Sequence, residues 1–292
     1  MTVLISGATG FLGSYVLKSF IRRGHEVITL KRSTSDTYRI ENSLNQCISY
    51  DIDKIELKTI FENHQIDIVI NTVTNYGRSD SRISSILNTN LMFGLKLLEK
   101  SVSNNVKAFI NTDTLLNRNI NAYALSKAQL VDWMQFLSNK STKMINVKIE
   151  HMYGLEDDEN KFIYWLINQL KEDIQQIDLT SGIQKRDFIY ITDIVSAYEI
   201  IIQNIENFSS YEEFELGSGT SIKVKKFIEQ IYDELSKKQA LKTVLNFGAV
   251  EYRANENMNM KANITKLEKL GWQVKTSIQD GINKILNGEK ND

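Results

Sequence analysis

The first thirteen residues, MTVLISGATGFLG, constrain this chain more than any other stretch. Val3, Leu4 and Ile5 form a short apolar run suited to a strand buried on both faces. Gly7, Gly10 and Gly13 follow at G-x-x-G-x-x-G spacing, and Phe11, Leu12, Val16, Phe20 and Ile21 continue as an apolar helical face. In a strand–loop–helix unit each glycine answers a steric demand. One permits the tight turn, one lets the backbone approach a pyrophosphate, and one lets the helix pack on the strand. Free N–H groups and the helix dipole at such a terminus favour negative charge. A dinucleotide is therefore the expected occupant, held by Gly7, Thr9, Gly10, Phe11, Leu12 and Gly13.

Strands and helices alternate from there. Gly24 closes the first helix, and residues 25–30 read as a second strand. Residues 34–50 are polar and hard to place, with a weak strand at 47–50. Residues 55–63 read as a short helix and 67–71 as a fourth strand, with 72–78 looping beyond it. Residues 88–103 carry Leu91, Leu95, Leu98 and Val102 on one face of a long helix. Residues 107–111 read as a fifth strand and 144–149 as a sixth. This alternation implies an α/β fold with a doubly wound parallel sheet, whose ligands bind at the carboxyl edge.

The length of 292 residues accommodates a full core. Residues 1–150 are expected to form a Rossmann domain binding NADP. Residues 151–292 are expected to form mainly a smaller C-terminal substrate-binding lobe, with strands and helices returning to the first domain. A net charge of −1 gives no electrostatic reason to expect nucleic acid or an anionic membrane as partner. No apolar run nears the roughly 20 residues that span a bilayer, and no basic stretch precedes the first apolar run. Cys47 is the only cysteine, so a reducing cytoplasm is the expected compartment. No cluster of histidine, cysteine and carboxylate is spaced for a metal.

Two constellations carry chemistry. Lys31, Arg32 and Ser33 follow the second strand, where an acidic residue would bind the ribose 2′-hydroxyl of NAD. Two cations and a hydroxyl there suit the 2′-phosphate of NADP. Tyr123 and Lys127 stand four apart at the start of a helical pattern, and so share one face. An ammonium beside a phenol favours the phenolate and lets the tyrosine exchange a proton near neutral pH. Tyr50 and Lys54 fit the same spacing. Location separates the two pairs, because Thr112 closes a strand ahead of Tyr123 and offers a hydroxyl to orient a reacting oxygen.

The wording of these motifs resembles the extended short-chain dehydrogenase/reductases. S-G-A-T-G-F-L-G at 6–13 is similar to that family's opening, and N-L-M-F-G-L-K-L-L-E at 90–99 to its helix ending in Leu-Leu-Glu. The resemblance places Asp51 near the adenine and aligns the catalytic hydroxyl on Thr112, with Thr114 second. Dehydratases of the family carry Asp-Glu after that threonine. Thr112-Asp113-Thr114 lacks the glutamate, which argues against 4,6-dehydration. Further stretches, I-E-H-M-Y-G at 149–154, T-S-G-I-Q-K-R-D-F-I at 180–189 and F-G-A-V-E-Y-R at 247–253, resemble a narrower branch, the NADPH-dependent reductases of CDP-linked 4-keto-dideoxyhexoses. By that resemblance Arg253 grips the substrate diphosphate, Arg186 is a second anchor or an internal ion-pair partner, and Thr114 and His151 contact substrate.

The resemblance implies reduction of a nucleotide-linked 4-ketohexose by NADPH in deoxysugar biosynthesis, with Thr112, Tyr123 and Lys127 as catalytic residues. One rival is a nucleotide-sugar 4-epimerase with tightly bound NAD, which the cations at 31 and 32 oppose. The other is a non-enzymatic NADP-sensing regulator, which has no need of a proton relay. Homologous enzymes often pair the helices at 88–103 and 123–138, and a homodimer through them is expected. The chain contains no proline, where a usage of about 5% would supply roughly 15. Ala122, Leu155, Tyr164 and Val274 stand where the family's prolines are most regular, a pattern that reads as replacement of proline in a parent sequence.

Overall fold

The computed structural model describes residues 1–78, 80–138, 141–253 and 256–288. The opening apolar run forms β1 (Thr2–Ser6), and the glycine loop leads into α1 (Phe11–Arg22). β2 (Glu26–Lys31), β3 (Ile48–Asp51), α2 (Leu57–Asn63) and β4 (Ile68–Asn71) follow. The next helical stretch starts earlier than the leucine spacing predicts. α3 (Ile83–Leu87) runs through a widened π turn at Asn88–Phe93 into α4 (Gly94–Ser103), because Ile86 already buries a side chain one turn ahead. β5 (Ala108–Thr114), α5 (Ala122–Leu137) and β6 (Lys143–Ile149) complete the first half.

The second half contains β7 (His151–Tyr153), α6 (Phe162–Lys171), β8 (Gln176–Leu179), β9 (Lys185–Arg186), β10 (Phe188–Tyr190) and α7 (Ile191–Gln203). It continues with β11 (Tyr211–Leu216), β12 (Ile222–Lys223), α8 (Val224–Ser236), β13 (Val244–Phe247), α9 (Thr265–Lys269) and α10 (Ile278–Asn287). Seven strands form the central sheet in the order β11-β6-β5-β4-β1-β2-β3. Pairings from β6 through β5, β4, β1 and β2 to β3 are all parallel. This is the doubly wound arrangement, in which the order reverses between β4 and β1. Leu4, Ile28, Val69 and Phe109 from its strands pack with Leu97, Leu98, Leu130 and Met134 from the helices in one buried cluster. Among the described residues, no helix is long and apolar enough to cross a membrane.

The chain divides into two compact units, Met1–Ile149 with Tyr198–Glu215, and Glu150–Ala197 with Leu216–Asp292. In the second, the R-D-F stretch serves a structural purpose. Asp187 is fully buried, and its carboxylate accepts from the Ser218 N–H and hydroxyl, both at 2.6 Å, and from the N–H groups of Gly219 and Ala262 at 3.1 Å. One side chain thereby satisfies three buried or half-buried backbone donors from two separate segments. Phe188 stacks on Phe227 of α8 beside it, with ring centroids 3.8 Å apart.

Candidate active site

The glycine loop is built to hold an anion. Gly7 lies in the left-handed region at φ +80°, and a side chain there would also strike Thr72. A Cβ on Gly13 would collide with the Gly7 carbonyl, so the first turn of α1 lies directly against the loop. Gly10 is the N-cap of α1 and offers no side-chain acceptor, and no acidic residue stands in the first turn. The helix therefore starts with N–H groups that no side-chain cap or nearby acid neutralises, which suits a pyrophosphate. The residues present fit a dinucleotide.

Lys31 and Asp51 are directly paired in the β2–β3 register, and their side chains form an ion pair. Lys54 adds a second contact to Asp51 at 3.2 Å, and the two ammoniums, Lys31 foremost, hold the Asp51 carboxyl below its ordinary pKa. The Ser33 hydroxyl and N–H both donate to Asp53. Of the three residues expected to meet a 2′-phosphate, two thus have acidic partners and Arg32 stays exposed. Arg39 was not among the residues expected here. It is buried, and its guanidinium donates to the Thr9 carbonyl of the glycine loop at 3.4 Å. Its stretch has no periodicity to mark it.

Asn121 caps α5 by accepting from the Ala124 N–H at 2.8 Å, which fixes Tyr123 in the first helical turn. Lys127, one turn on, is fully buried and donates to the backbone carbonyls of Val73 at 3.0 Å and Thr112 at 2.9 Å. Burial lowers its pKa to about 8, and the charge of Asp113 opposes that fall. The Tyr123 ring tilts against Tyr76 at 5.0 Å between centroids. Burial first, then Tyr76 and Asp113, push the phenol well above its ordinary pKa. This is the opposite of the lowering expected of an adjacent lysine, and its chief cause is desolvation of the phenolate.

The two candidate threonine hydroxyls have different partners. The Thr112 hydroxyl is buried and hydrogen-bonded to the Tyr198 hydroxyl of α7 at 2.7 Å. The hydroxyl that interacts with Tyr123 belongs to Thr114, which β5 carries to the sheet edge and which accepts from the Leu116 N–H at 3.2 Å. Thr112 contributes its carbonyl, as an anchor for Lys127. The alternative pair falls apart in space. The Tyr50 hydroxyl meets the His64 ring at 2.8 Å, while Lys54 turns to Asp51.

The second unit holds the remaining candidates. His151, half-exposed, shares a hydrogen bond at 2.9 Å between Nδ1 and the buried Glu150 carboxylate. Arg186 is buried, pairs with Glu256, and donates to the carbonyls of Lys185 and Asn257 at 2.8 and 2.6 Å. Its guanidinium is an internal fastener. Arg253 is exposed. Beside it the Tyr252 hydroxyl bonds Ser181, the Ile183 N–H and Gln184 at 2.7 to 3.0 Å, tying that segment to the 181–184 loop. Among the described residues, no group of three metal-ligating side chains is placed to hold an ion.

The family described as "NAD dependent epimerase/dehydratase family" matches residues 3–217. A CDP-abequose synthase of Salmonella muenchen is 32% identical to this chain, over 97% of it and 96% of that protein. A dTDP-4-dehydro-6-deoxyglucose reductase of Escherichia coli is 26% identical over 97% and 96%. A UDP-glucose 4-epimerase of Thermotoga maritima, solved with UDP-glucose, superposes with a TM-score of 0.84 at 21% identity, over 98% of each chain. With its parallel sheet, glycine loop and full-length relatives, the chain belongs to the NAD-dependent epimerase/dehydratase family, the extended short-chain dehydrogenase/reductases.

Proposed function

We propose that this protein reduces the 4-keto group of a CDP-linked deoxyhexose with NADPH, in cytoplasmic deoxysugar biosynthesis. The arrangement that carries the reading is Tyr123 and Thr114 beside the buried, carbonyl-anchored Lys127, in the same unit as an uncapped glycine-loop helix. Similarity along nearly the whole chain to a CDP-abequose synthase supports the substrate class. The residues holding the cofactor are Gly7, Thr9, Gly10, Phe11, Leu12 and Gly13 at the pyrophosphate and Asp51 near the adenine. Arg32 serves the 2′-phosphate, aided by Arg39 across the Thr9 carbonyl. Bound there, the cofactor supplies the hydride that goes to the keto carbon.

Tyr123 gives its proton to the developing alkoxide, and a phenol whose pKa is held high retains that proton until the oxygen gains charge. Thr114 donates to the same oxygen and orients it. Lys127 lends positive charge from a fixed position. Arg253, a planar bidentate donor, takes the diphosphate, and His151 contacts the substrate through the ring edge opposite Glu150. Arg186 has no place in this proposal. Dimerisation through residues 88–103 and 123–138 is part of it, since Met92 in the π turn and Trp133 and Phe136 on α5 are exposed.

One observation favours the epimerase reading. The ion pair of Lys31 with Asp51 removes a cation from the proposed 2′-phosphate site, which suits NAD. Incubation with 4-keto and 4-hydroxy CDP-sugars separates the two. A reductase consumes NADPH with the ketone, and an epimerase inverts the alcohol without net consumption.

A further inference from the structure

Across the centre of the sheet, polar side chains occupy one register level in an otherwise aliphatic layer. Ser6 of β1 faces Asn71 of β4, Asn71 faces Asn111 of β5, and Asn111 faces Asn146 of β6. All four are buried. The Ser6 hydroxyl donates to Asn71 Oδ1 at 2.8 Å. Asn71 Nδ2 donates to Asn111 Oδ1 at 3.1 Å, and Asn111 Nδ2 to Asn146 Oδ1 at 3.0 Å. Asn146 Nδ2 donates to Asp113 Oδ2 at 3.0 Å and to Glu213 Oε2 at 3.1 Å.

The direction of this ladder follows from its last rung. Both partners of the Asn146 amide nitrogen are carboxylates, which accept and cannot donate when ionised. The amide must therefore turn its NH₂ toward them and its oxygen toward Asn111. That choice sets Asn111, then Asn71, then the Ser6 hydroxyl. Aligned amides polarise one another, so the donor at the end is strengthened. A sheet centre has no packing need for three buried amides, whose burial is costly unless every rung is satisfied. What the ladder does is fix a carboxylate at residue 113, one position before Thr114.

We propose that Asp113, fixed at the donor end of this ladder and one residue from the Thr112 carbonyl that anchors Lys127, is a positioning residue that supports the Lys127 ammonium for reduction. This rests on the reductase reading, and it adds a residue that acts through Lys127 without touching substrate. The Asp113 carboxyl is directed to Asn146, so it is not a proton donor to the sugar. Burial raises its pKa on balance, against Asn146, the Thr114 N–H and the charges of Lys127 and Lys148, which lower it. The groups that face it are Lys127 and Tyr123 from α5, Lys148 from β6, and Tyr211 and Glu213 from β11. Lys148 and the Tyr211 hydroxyl both bond Glu213, at 2.7 and 3.1 Å, which leaves Lys127 as the cation that Asp113 alone supports.

The sign of the effect is fixed. A negative charge near an ammonium makes the ammonium harder to deprotonate, and near a phenol it disfavours the phenolate. Removing the charge with Asp113→Asn lowers both pKa values. In full-length protein carrying [¹³Cε]lysine, the Lys127 resonance is identified by its loss in Lys127→Met. The parent should titrate at about 8. Asp113→Asn should titrate about one pH unit lower. Asp113→Ser, smaller and uncharged, gives the same reading should the amide variant not fold. The alkaline limb of kcat for NADPH-dependent reduction should move down by a similar amount. A Lys127 titration that stays at the parent's value overturns the proposal. If the parent reduces no 4-keto nucleotide sugar, the reductase reading falls, and the lysine titration still decides the role of Asp113.

Discussion

Tyr123 and Thr114 differ in what their removal costs. Tyr123→Phe deletes one hydroxyl from a ring packed on Tyr76, so folding and NADPH binding should survive while kcat falls about 10²- to 10⁴-fold. Thr114→Val should lower kcat by a smaller factor and more than Thr112→Val does, because the Thr112 hydroxyl faces Tyr198 and its carbonyl survives the substitution. Steady-state rates for the three variants decide the order, and equal losses at 112 and 114 would return the orienting role to Thr112. Tyr50→Phe, at the false match, should leave the rate unchanged. The tyrosine and lysine were legible from spacing plus their place after a strand. The threonine was not. Thr112 and Thr114 share one strand, and only the length of β5 and the arrival of Tyr198 from 86 positions away separate their roles.

At the scale of elements, the proposed cofactor preference rests on the loops and strand ends. The glycine loop was legible because each glycine meets a local steric demand. Gly13→Ala puts a methyl group into the Gly7 carbonyl, and dinucleotide binding followed by fluorescence should be lost or weakened well over tenfold. The cations after β2 were legible as residues but not as a site. The Lys31–Asp51 pair forms across two strands whose register no local pattern announces. Arg39 sits in a stretch without period. Arg32→Glu should therefore weaken NADPH binding selectively, with NADH binding changed little, and Lys31→Gln should matter less than Arg32→Glu. Equal effects on the two cofactors would remove the basis for preferring NADP.

For the molecule as a whole, the parallel sheet and its buried strands could be read from alternation alone, since strand runs such as Ile68, Val69 and Ile70 have only one comfortable environment. What holds the second unit could not. Asp187 lies within a stretch that reads as a signature, yet its four hydrogen bonds are structural. Asp187→Ala strips acceptors from three backbone donors and should cost about 1–3 kcal/mol for each one left buried. A fall in Tm with intact far-UV dichroism would report it. Self-association is tested by light scattering at micromolar concentration, where a dimer mass is expected and Phe136→Glu should reduce it. The central claim rests on one measurement, the incubation of the protein with NADPH and a freshly made CDP-4-keto-6-deoxy sugar, followed by NADPH absorbance and product NMR. The account predicts stoichiometric NADPH oxidation and replacement of the C4 carbonyl by a carbinol, both slowed about 10²- to 10⁴-fold in Tyr123→Phe. Untouched NADPH, with inversion of a 4-hydroxy CDP-sugar by the same preparation, would contradict it.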